Sequence, residues 1–297
     1  MIHYQYCPVC GSSAIQPALE ARDYTVSEKL FAVWHCNGCS ARFTQDVPEK
    51  AEIGSYYQSD NYISHSDTRE GLVNRLYHRV RAITLRSKKD LVCKASGKKT
   101  GLLLDIGCGT GAFLHTMKES GWTVEGLEPD PGARSRAASL YGLGVRPVEE
   151  LFQLPPASYD VISLWHVLEH VYNPEEYVRE FKRLLKPGGL LVVAVPNYTS
   201  YDASRYGAYW AAYDVPRHLS HFSPRSMQLL MKRGGLEVKA MKPMWFDSFY
   251  VSMLSERYQS GKDRLASAVL TGAISNMRAI GNAEACSSVI YLIGLLS

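Results

Sequence analysis

The residues with the plainest chemistry in this 297-residue sequence are four cysteines near its beginning. They form two Cys-x-x-Cys pairs, Cys7 with Cys10 and Cys36 with Cys39, and each pair is typical of a tight turn that brings two thiolates together. Two such turns supply the four sulfur ligands of a tetrahedral zinc site, and a closed site of this kind is structural. The sequence therefore predicts one structural Zn²⁺ on Cys7, Cys10, Cys36 and Cys39, with a redox dithiol as the alternative.

A second motif is the glycine-rich turn at residues 107–111, which follows the apolar run 102–106 and precedes a predicted helix. Glycines let a ligand approach the backbone at such a turn. About twenty residues further on, Glu128 can accept hydrogen bonds from ribose hydroxyls. A dinucleotide site has the same glycine pattern, but the carboxylate of Asp105 would repel a pyrophosphate and attract an amino group and a sulfonium. The charges therefore favour S-adenosylmethionine over NAD.

Histidines are the candidate acid–base groups, because their ordinary pKa lies near neutrality. His166-Val-Leu-Glu169-His170 follows the predicted fourth strand. The same residues match an inverted zinc-protease motif, but that motif requires a long helix with a third ligand downstream. The position at a strand end excludes the protease interpretation.

Two further histidines, His218 and His221, follow the predicted fifth strand together with Arg217. Open α/β sheets bind ligands at the carboxyl ends of their strands, so we expect all four histidines to surround one pocket beside the cofactor. His166 and His221 are the foremost candidates for acid–base chemistry or for positioning the acceptor, and Arg217 for holding an anionic part of the substrate. The alternatives are a structural hydrogen bond for His170 and loop packing for His218 and His221.

The elements that must position these groups alternate between apolar runs and helical segments. The predicted strands are 102–106, 124–128, 159–165, 190–195, 236–241 and 288–295, and the main predicted helices are 112–120, 174–186 and 224–233. Strands that alternate with helices predict an α/β fold with a mostly parallel sheet covered on both faces.

The region before this α/β pattern is different in character. It contains Tyr56, Tyr57 and Tyr62 and then a basic, helix-like stretch. We interpret it as a packing helix that joins the cysteine module to the next domain, and a lid over a cofactor is the alternative. The predicted organisation is a zinc-binding module at 1–48, a helical linker or lid at 49–98, and a larger domain at 99–297 with substrate-side insertions at about 197–222 and 244–284.

Composition limits the classes of protein that fit. The hydrophobic fraction is 46%, the charged fraction is 21% and the net charge is +4, which describes an ordinary globular protein. Neither a bilayer-spanning apolar run nor a signal segment is evident, so we expect a cytoplasmic location. The small positive charge argues against nucleic-acid binding as the primary role. A dense basic face would favour an RNA substrate, and the one basic run, at 75–89, has a solvated helix face as its simpler interpretation.

Five motifs together resemble class I S-adenosylmethionine-dependent methyltransferases. They are Leu-Leu-Leu-Asp-Ile-Gly-Cys-Gly-Thr-Gly (102–111), Gly-Leu-Glu-Pro-Asp (126–130), Ser-Tyr-Asp-Val-Ile (158–162), Leu-Glu-His-Val (168–171) and Leu-Leu-Lys-Pro-Gly-Gly (184–189). The resemblance covers about residues 100–242. The N-terminal cysteines and the segment 213–223 resemble a bacterial subgroup with a zinc ribbon.

This resemblance implies a fold and a set of cofactor residues. The fold is a doubly wound, Rossmann-like sheet of seven strands, of which the last is antiparallel. Asp105, Gly107 and Gly109 would contact the methionine portion, and Glu128 would hold the ribose. The remaining implied positions are Glu150 and Leu151 flanking the adenine, Trp165 and His166 beside the cofactor, and Cys108, Gly111 and Pro129 in the turns that line it.

The expected function is methyl transfer from S-adenosylmethionine to a small-molecule acceptor, on a hydroxyl or another heteroatom. Some methyltransferases of this kind resemble the chain in a Glu-His pair and a later histidine that bind a divalent metal, and here Glu169, His170 and His221 would supply it. A zinc-module ribosomal-RNA methyltransferase and a non-catalytic, cofactor-retaining scaffold are the alternative functions. The sequence predicts neither the acceptor nor an oligomeric state.

Overall fold

The structure of this protein is a computed structural model that describes residues 1–57 and 72–296. Tyr62 lies outside the described residues. The strands are β1 Ile15–Arg22, β2 Leu30–Cys36, β3 Arg42–Thr44, β4 Leu102–Ile106, β5 Thr123–Leu127, β6 Val145–Arg146, β7 Tyr159–Trp165, β8 Leu185–Pro196, β9 Ser220–His221, β10 Leu236–Pro243 and β11 Ser288–Leu295. The helices are α1 Leu72–Ser96, α2 Ala112–Glu119, α3 Pro131–Tyr141, α4 Pro174–Leu184, α5 Tyr201–Tyr206, α6 Pro224–Arg233, α7 Asp247–Ser260 and α8 Leu265–Ala279.

Two compact units divide the chain, and each is built from separate stretches of sequence. As far as its residues are described, the first unit takes Met1–Ser64, His166–Val178 and Ala194–Tyr291. The second takes His65–Trp165, Arg179–Val193 and Leu292–Ser297 within the same limit. The predicted boundaries after residues 48 and 98 remain a prediction.

A seven-stranded sheet has the order β10-β11-β8-β7-β4-β5-β6. Strand β4 lies between β5 and β7 and runs parallel to both. Its side chains at Leu103, Leu104 and Ile106 are fully buried, as expected of a strand that is covered on both faces. The predicted doubly wound, mostly parallel sheet of seven strands is confirmed.

The strand order also locates the point where ligands bind in such sheets. After β4 the chain builds outward through β5 and β6 on one side, and β7 and β8 lie on the other side. The order therefore reverses between β4 and β7, where Asp105 is in register with Ser163. Open α/β sheets bind ligands at the carboxyl ends of the strands on either side of such a reversal.

A smaller sheet of four strands has the order β1-β2-β3-β9. Its first three strands come from the cysteine module, and β3 pairs antiparallel with β9, with Arg42 opposite His221 and Phe43 opposite Ser220. The sequence did not indicate what the module docks on. The structure shows that its sheet continues into the segment after β8, and Phe31 and Val33 share a buried cluster with Trp210 there.

Local sequence explains where the helices around the sheet begin and end. Helix α3 begins at the Asp130 cap, whose carboxylate accepts from two backbone N–H groups, and ends at Gly142 in the left-handed conformation. Helix α6 begins with a capping box between Ser223 and Ser226. Within the described ranges, no helix combines the length and the apolarity that crossing a membrane requires.

Candidate functional site

The glycines of the turn between β4 and α2 have different structural roles. Gly107, Gly109 and Gly111 all have positive φ, at 68°, 55° and 80°, a region that favours glycine. A Cβ added at Gly109 would meet no atom within 4 Å, whereas one at Gly111 would lie 2.9 Å from Leu143 Cδ1. Gly109 therefore borders open space that a ligand can approach, and Gly111 is required for close packing.

Glu128 follows the end of β5 and connects directly to this turn. Its carboxylate accepts a hydrogen bond from the Gly109 backbone N–H at 2.8 Å and one from the Asp130 N–H at 3.0 Å. Burial raises the pKa of Glu128, although these two hydrogen bonds oppose the shift. Because an ionised carboxylate offers about four acceptor positions, Glu128 keeps capacity for hydroxyl donors such as those of a ribose.

Asp105, at the end of β4, is 2% exposed. Its Oδ1 accepts a hydrogen bond of 2.6 Å from the Ser163 hydroxyl on β7. Burial raises the pKa of Asp105 to about 7, and the Ser163 hydrogen bond and the charge of Lys88 reduce the shift. A buried carboxyl of this kind gains most from a cationic ligand, because a nearby positive charge favours its ionised form.

Trp165, the last residue of β7, packs among residues of the second unit. Its ring meets Phe113 edge to face at 5.4 Å between centroids, and Lys88 Nζ lies 4.3 Å from the ring centre. The indole face therefore already attracts a cation from α1. Lys88 belongs to the predicted helical linker, and its charge acts on both Trp165 and Asp105.

The other predicted cofactor residues have diverse environments. Leu151 is fully buried, and Glu150 lies in an ion pair with Arg146 at 3.5 Å. Cys108 is almost fully buried, and burial raises the pKa of its thiol. Pro129 is exposed, and its carbonyl accepts from Arg134 at 2.8 Å. Their contact with a cofactor remains a prediction.

The four N-terminal cysteines converge on one point. Cys7 Sγ lies 3.6 Å from Cys39 Sγ, and Cys10 Sγ lies 3.6 Å from Cys36 Sγ. All four sulfurs lie within 4.8 Å of one another. Sulfurs that ligate one tetrahedral Zn²⁺ at about 2.3 Å are separated by roughly 3.8 Å. The geometry fits a structural zinc site, and all four thiols are free.

His166 follows β7 directly and has an unusual backbone for a histidine, with φ at +58°. Its Nε2 lies 2.9 Å from Asp247 Oδ2 and its Nδ1 lies 3.4 Å from Glu169 Oε1. Burial lowers the pKa of His166, but the two carboxylates outweigh it and raise this pKa to about 10. A protonated imidazole can hold an anionic group, whereas acceptance of a proton requires its neutral form.

His170 and His218 lie together, with ring centroids 4.6 Å apart. His170 Nδ1 lies 3.0 Å from the Arg217 carbonyl and 3.0 Å from the Tyr57 hydroxyl, and His218 Nδ1 lies 2.9 Å from the Ala212 carbonyl. Burial and the charge of His218 lower the pKa of His170 to about 4. An Nδ1–H that donates to a backbone carbonyl leaves the Nε2 lone pair available, as in histidines that bind metals.

Glu169 completes this cluster. Its side chain is 1% exposed, and apart from the ion pair of Oε1 with His166 Nδ1 at 3.4 Å neither carboxylate oxygen has a hydrogen-bond donor among the described residues. Glu169, His170 and His218 each offer one ligand atom, and these atoms lie within 4.8 Å of one another. A buried carboxylate that keeps acceptor capacity beside two imidazoles fits a divalent cation. The third member of the set is His218, where the sequence analysis placed His221.

His221 and Arg217 point into packed interior instead. His221 is 4% exposed, and its Nε2 lies 3.1 Å from Thr44 Oγ1. Burial and the charge of His218 place the pKa of His221 well below its ordinary value. Arg217 is 1% exposed and forms ion pairs with Asp23 at 3.2 Å and Asp214 at 2.6 Å. Both arrangements favour a role in positioning other residues. The contact with substrate that the sequence analysis predicted for His221 and Arg217 stays a prediction.

Sequence reasoning missed several partners of these groups. Asp247 is 81 residues from His166, and its approach to that imidazole has no local signal. Ser163 lies inside β7, and only the strand register brings it to Asp105. Lys88 was visible only as part of a basic run, and Tyr57 only as part of a tyrosine-rich segment.

Comparisons with known proteins identify the family to which the chain belongs. A family model described as a methyltransferase domain matches residues 76–240, more than half of the chain. The chain is 29% identical over 208 residues to a ubiquinone biosynthesis O-methyltransferase of Maricaulis maris, covering 63% of this chain and 79% of that protein. It is 31% identical over 185 residues to a protein of the same name from Bordetella bronchiseptica, covering 57% of this chain and 75% of that protein.

Among solved structures, the chain is similar to a SAM-dependent methyltransferase from Archaeoglobus fulgidus. The TM-score is 0.49 and the identity 19%, over 72% of this chain and 92% of the other. The family match coincides with the sheet, the glycine turn and the two buried acids described above. The chain belongs to the class I S-adenosylmethionine-dependent methyltransferases and carries an N-terminal four-cysteine ribbon.

Proposed function

We propose that this enzyme transfers the methyl group of S-adenosylmethionine to a hydroxyl of a small-molecule acceptor. The observation that carries the proposal is the pairing of Glu128 at the open glycine turn with the buried carboxyl of Asp105. One acid has acceptor capacity for a ribose, and the other favours a cation. Since the cofactor is already activated, the protein contributes mainly alignment and charge.

The choice of a hydroxyl rests on the relatives. Two proteins named as O-methyltransferases of ubiquinone biosynthesis align with the chain over three quarters or more of their own length. Their identity to the chain is about 30%, so the shared chemistry is proposed at the level of the acceptor atom and not of the compound.

The cluster of Glu169, His170 and His218 provides the second half of the proposal. These residues would hold a divalent cation, which when bound would supply Lewis-acid polarisation of an acceptor hydroxyl. His166 would orient an anionic or hydroxyl group through the imidazole that Asp247 and Glu169 fix. Arg217 would hold the loop 214–218 in position from inside the first unit.

The four-cysteine cluster would hold Zn²⁺ in a structural role. A site with four thiolates leaves no coordination position open for chemistry. Strand β3 leads away from this site and pairs with Ser220–His221. The zinc site would therefore stabilise the segment that carries His218.

The experiment that tests the proposal uses S-adenosylmethionine labelled in its methyl group and a fractionated bacterial lysate. We expect label in the small-molecule fraction, in a product from which mild acid does not release it, and none with the Asp105→Asn variant. Glu125→Gln is the matched control, because Glu125 lies on β5 and contacts Arg146 and Tyr159. Label that enters RNA or protein alone would overturn the choice of acceptor, and no transfer to any fraction would overturn the enzyme role.

A further inference from the structure

Helix α8 is unusual because most of the half that faces solvent is apolar. Leu265, Val269, Leu270 and Met277 are each between 56% and 61% exposed. At 100° per residue, these side chains and the small residues Ala266 and Ala273 fall within one half of the helix circumference. No charged residue lies in that half, and its one polar residue, Asn276, is hydrogen-bonded to the Trp245 carbonyl and to the Ser248 hydroxyl. A surface helix of a globular protein normally presents its polar residues to water.

The residues that α8 buries are all small. The buried positions are Ala268, Thr271, Gly272, Ser275 and Ala279. A Cβ added at Gly272 would lie 2.7 Å from Phe249 Cδ1, so α8 lies close against α7. Helices that pack through small residues and turn large apolar residues outward are typical of a lipid environment, where no hydrophobic effect acts between the helices.

Helix α7 contributes aromatic side chains to this surface. It buries Ser248, Ser252 and Ser255 together with Val251 and Glu256, while Tyr250 on the helix and Trp245 and Phe246 just before it are exposed. The Trp245 carbonyl accepts a hydrogen bond from Asn276 Nδ2 at 2.8 Å, so the aromatic end of α7 lies beside the last turns of α8. Tryptophan and tyrosine are enriched at the boundary between lipid headgroups and acyl chains.

The charges around this apolar surface are mostly positive. Segment 242–284 exposes five cations, Lys242, Arg257, Lys262, Arg264 and Arg278, and two acids, Asp263 and Glu284. One of those acids, Asp263, forms an ion pair with Arg257 at 3.1 Å. Lys262 and Arg264 precede α8, and Arg278 lies in its last turn with its guanidinium over the Tyr201 ring at 4.3 Å, so cations are placed at both ends of the helix.

We infer that the α7–α8 hairpin is an interfacial membrane anchor that lies on an anionic phospholipid surface, with the apolar half of α8 inserted between the acyl chains. An apolar face flanked by Lys and Arg is the pattern of helices that lie in the plane of a membrane interface. A second copy of the chain fits less well, because a two-fold contact through the same face would bring the flanking cations together.

The test is flotation of the full-length protein with vesicles of phosphatidylcholine alone and of phosphatidylcholine with 30% phosphatidylserine, a composition of about one anionic lipid in three. We expect binding to the anionic vesicles, about tenfold weaker binding to the neutral ones, and loss of the difference in high salt. Brominated lipids should quench the fluorescence of Trp245, and the Trp245→Phe variant should lose that quenching.

Two variants separate the apolar and the charged contributions. Val269→Gln with Leu270→Gln should weaken binding to anionic vesicles about tenfold or more, because less apolar surface is buried. Lys262→Glu with Arg264→Glu should remove the preference for anionic lipid. Leu140→Gln is the control, because Leu140 is a leucine on α3 that is 51% exposed and its replacement should leave vesicle binding unchanged.

Two results would overturn the inference. One is equal vesicle binding by the wild type and the Val269/Leu270 variant, with the circular dichroism of both unchanged. The other is a concentration-dependent dimer, measured by analytical ultracentrifugation, that this same variant abolishes. Neither result depends on methyl transfer, so the anchor can fail while the proposed function holds.

Discussion

Replacement of Asp105 by Asn should change how the affinity for S-adenosylmethionine depends on pH. The pKa of Asp105 is raised from 3.8 to about 7 by burial, so this carboxyl is mostly protonated below neutrality in the free enzyme. The cationic methionine portion favours the ionised carboxylate. Binding below pH 7 must therefore release the proton, and affinity is lost as the pH falls.

The magnitude follows from linkage. Each pH unit below the pKa costs about 1.4 kcal/mol, or about tenfold in the dissociation constant. Between pH 7 and pH 5 the wild type should lose about 50-fold in affinity, because half of the Asp105 carboxyl is already protonated at pH 7. The window ends near pH 7 because the α-amino group of the cofactor begins to titrate above it.

The raised pKa of Asp105 also makes the free energy of unfolding of the free protein depend on pH. The folded state keeps the Asp105 proton up to about pH 7, while the unfolded chain releases it near its ordinary pKa of 3.8. The folded protein thus binds more protons in this range, so the contribution of Asp105 lowers the free energy of unfolding as pH rises from about 4 to about 7. Asp105→Asn should remove that decline.

The assay is titration calorimetry with S-adenosylmethionine at pH 5, 6 and 7, in buffers that differ in their enthalpy of ionisation. At pH 6 the wild type should release about one proton more per bound cofactor than Asp105→Asn. The variant should bind weakly at pH 7 and show a flatter pH profile. An equal pH slope in the two proteins would refute the reasoning, because another group would then carry the proton.

Three further predictions concern the other groups. Glu128→Ala should weaken S-adenosylmethionine binding by about 1–3 kcal/mol, since it removes a ribose partner; Glu125→Gln should have no effect in the same calorimetry, and NAD should not bind either protein. Cys36→Ser should release one Zn²⁺ per chain, measured by metal analysis, and should speed hydrogen exchange at 218–223 because β3 loses its support for β9, while cofactor binding survives; a wild type free of zinc after purification under reducing conditions contradicts it. His218→Ala should weaken binding of Mn²⁺, measured by paramagnetic relaxation, at least tenfold, whereas His221→Ala should leave it within about twofold; equal loss in both variants would contradict the assignment of His218 as the third ligand.

The sequence by itself was sufficient to predict the motifs that lie within one turn of the chain. The cysteine pairs and the glycine turn depend on spacings of a few residues, and such spacings fix the local backbone whatever surrounds it. The same holds for the order of strands and helices, because hydrophobic periodicity is local. Those features predicted the mostly parallel α/β sheet, and the family resemblance that the motifs carry implied its seven strands; the sheet and the family are both confirmed.

Only the tertiary structure decided how distant groups combine. His218 joins Glu169 and His170, whereas His221 lies in β9 and is turned into the interior by pairing with β3. Asp247 reaches His166 from another helix. The outward direction of the leucines of α8 depends on which half of that helix lies against α7. In each case the side chain's direction is set by a partner far away in sequence, and no local spacing records such a partner.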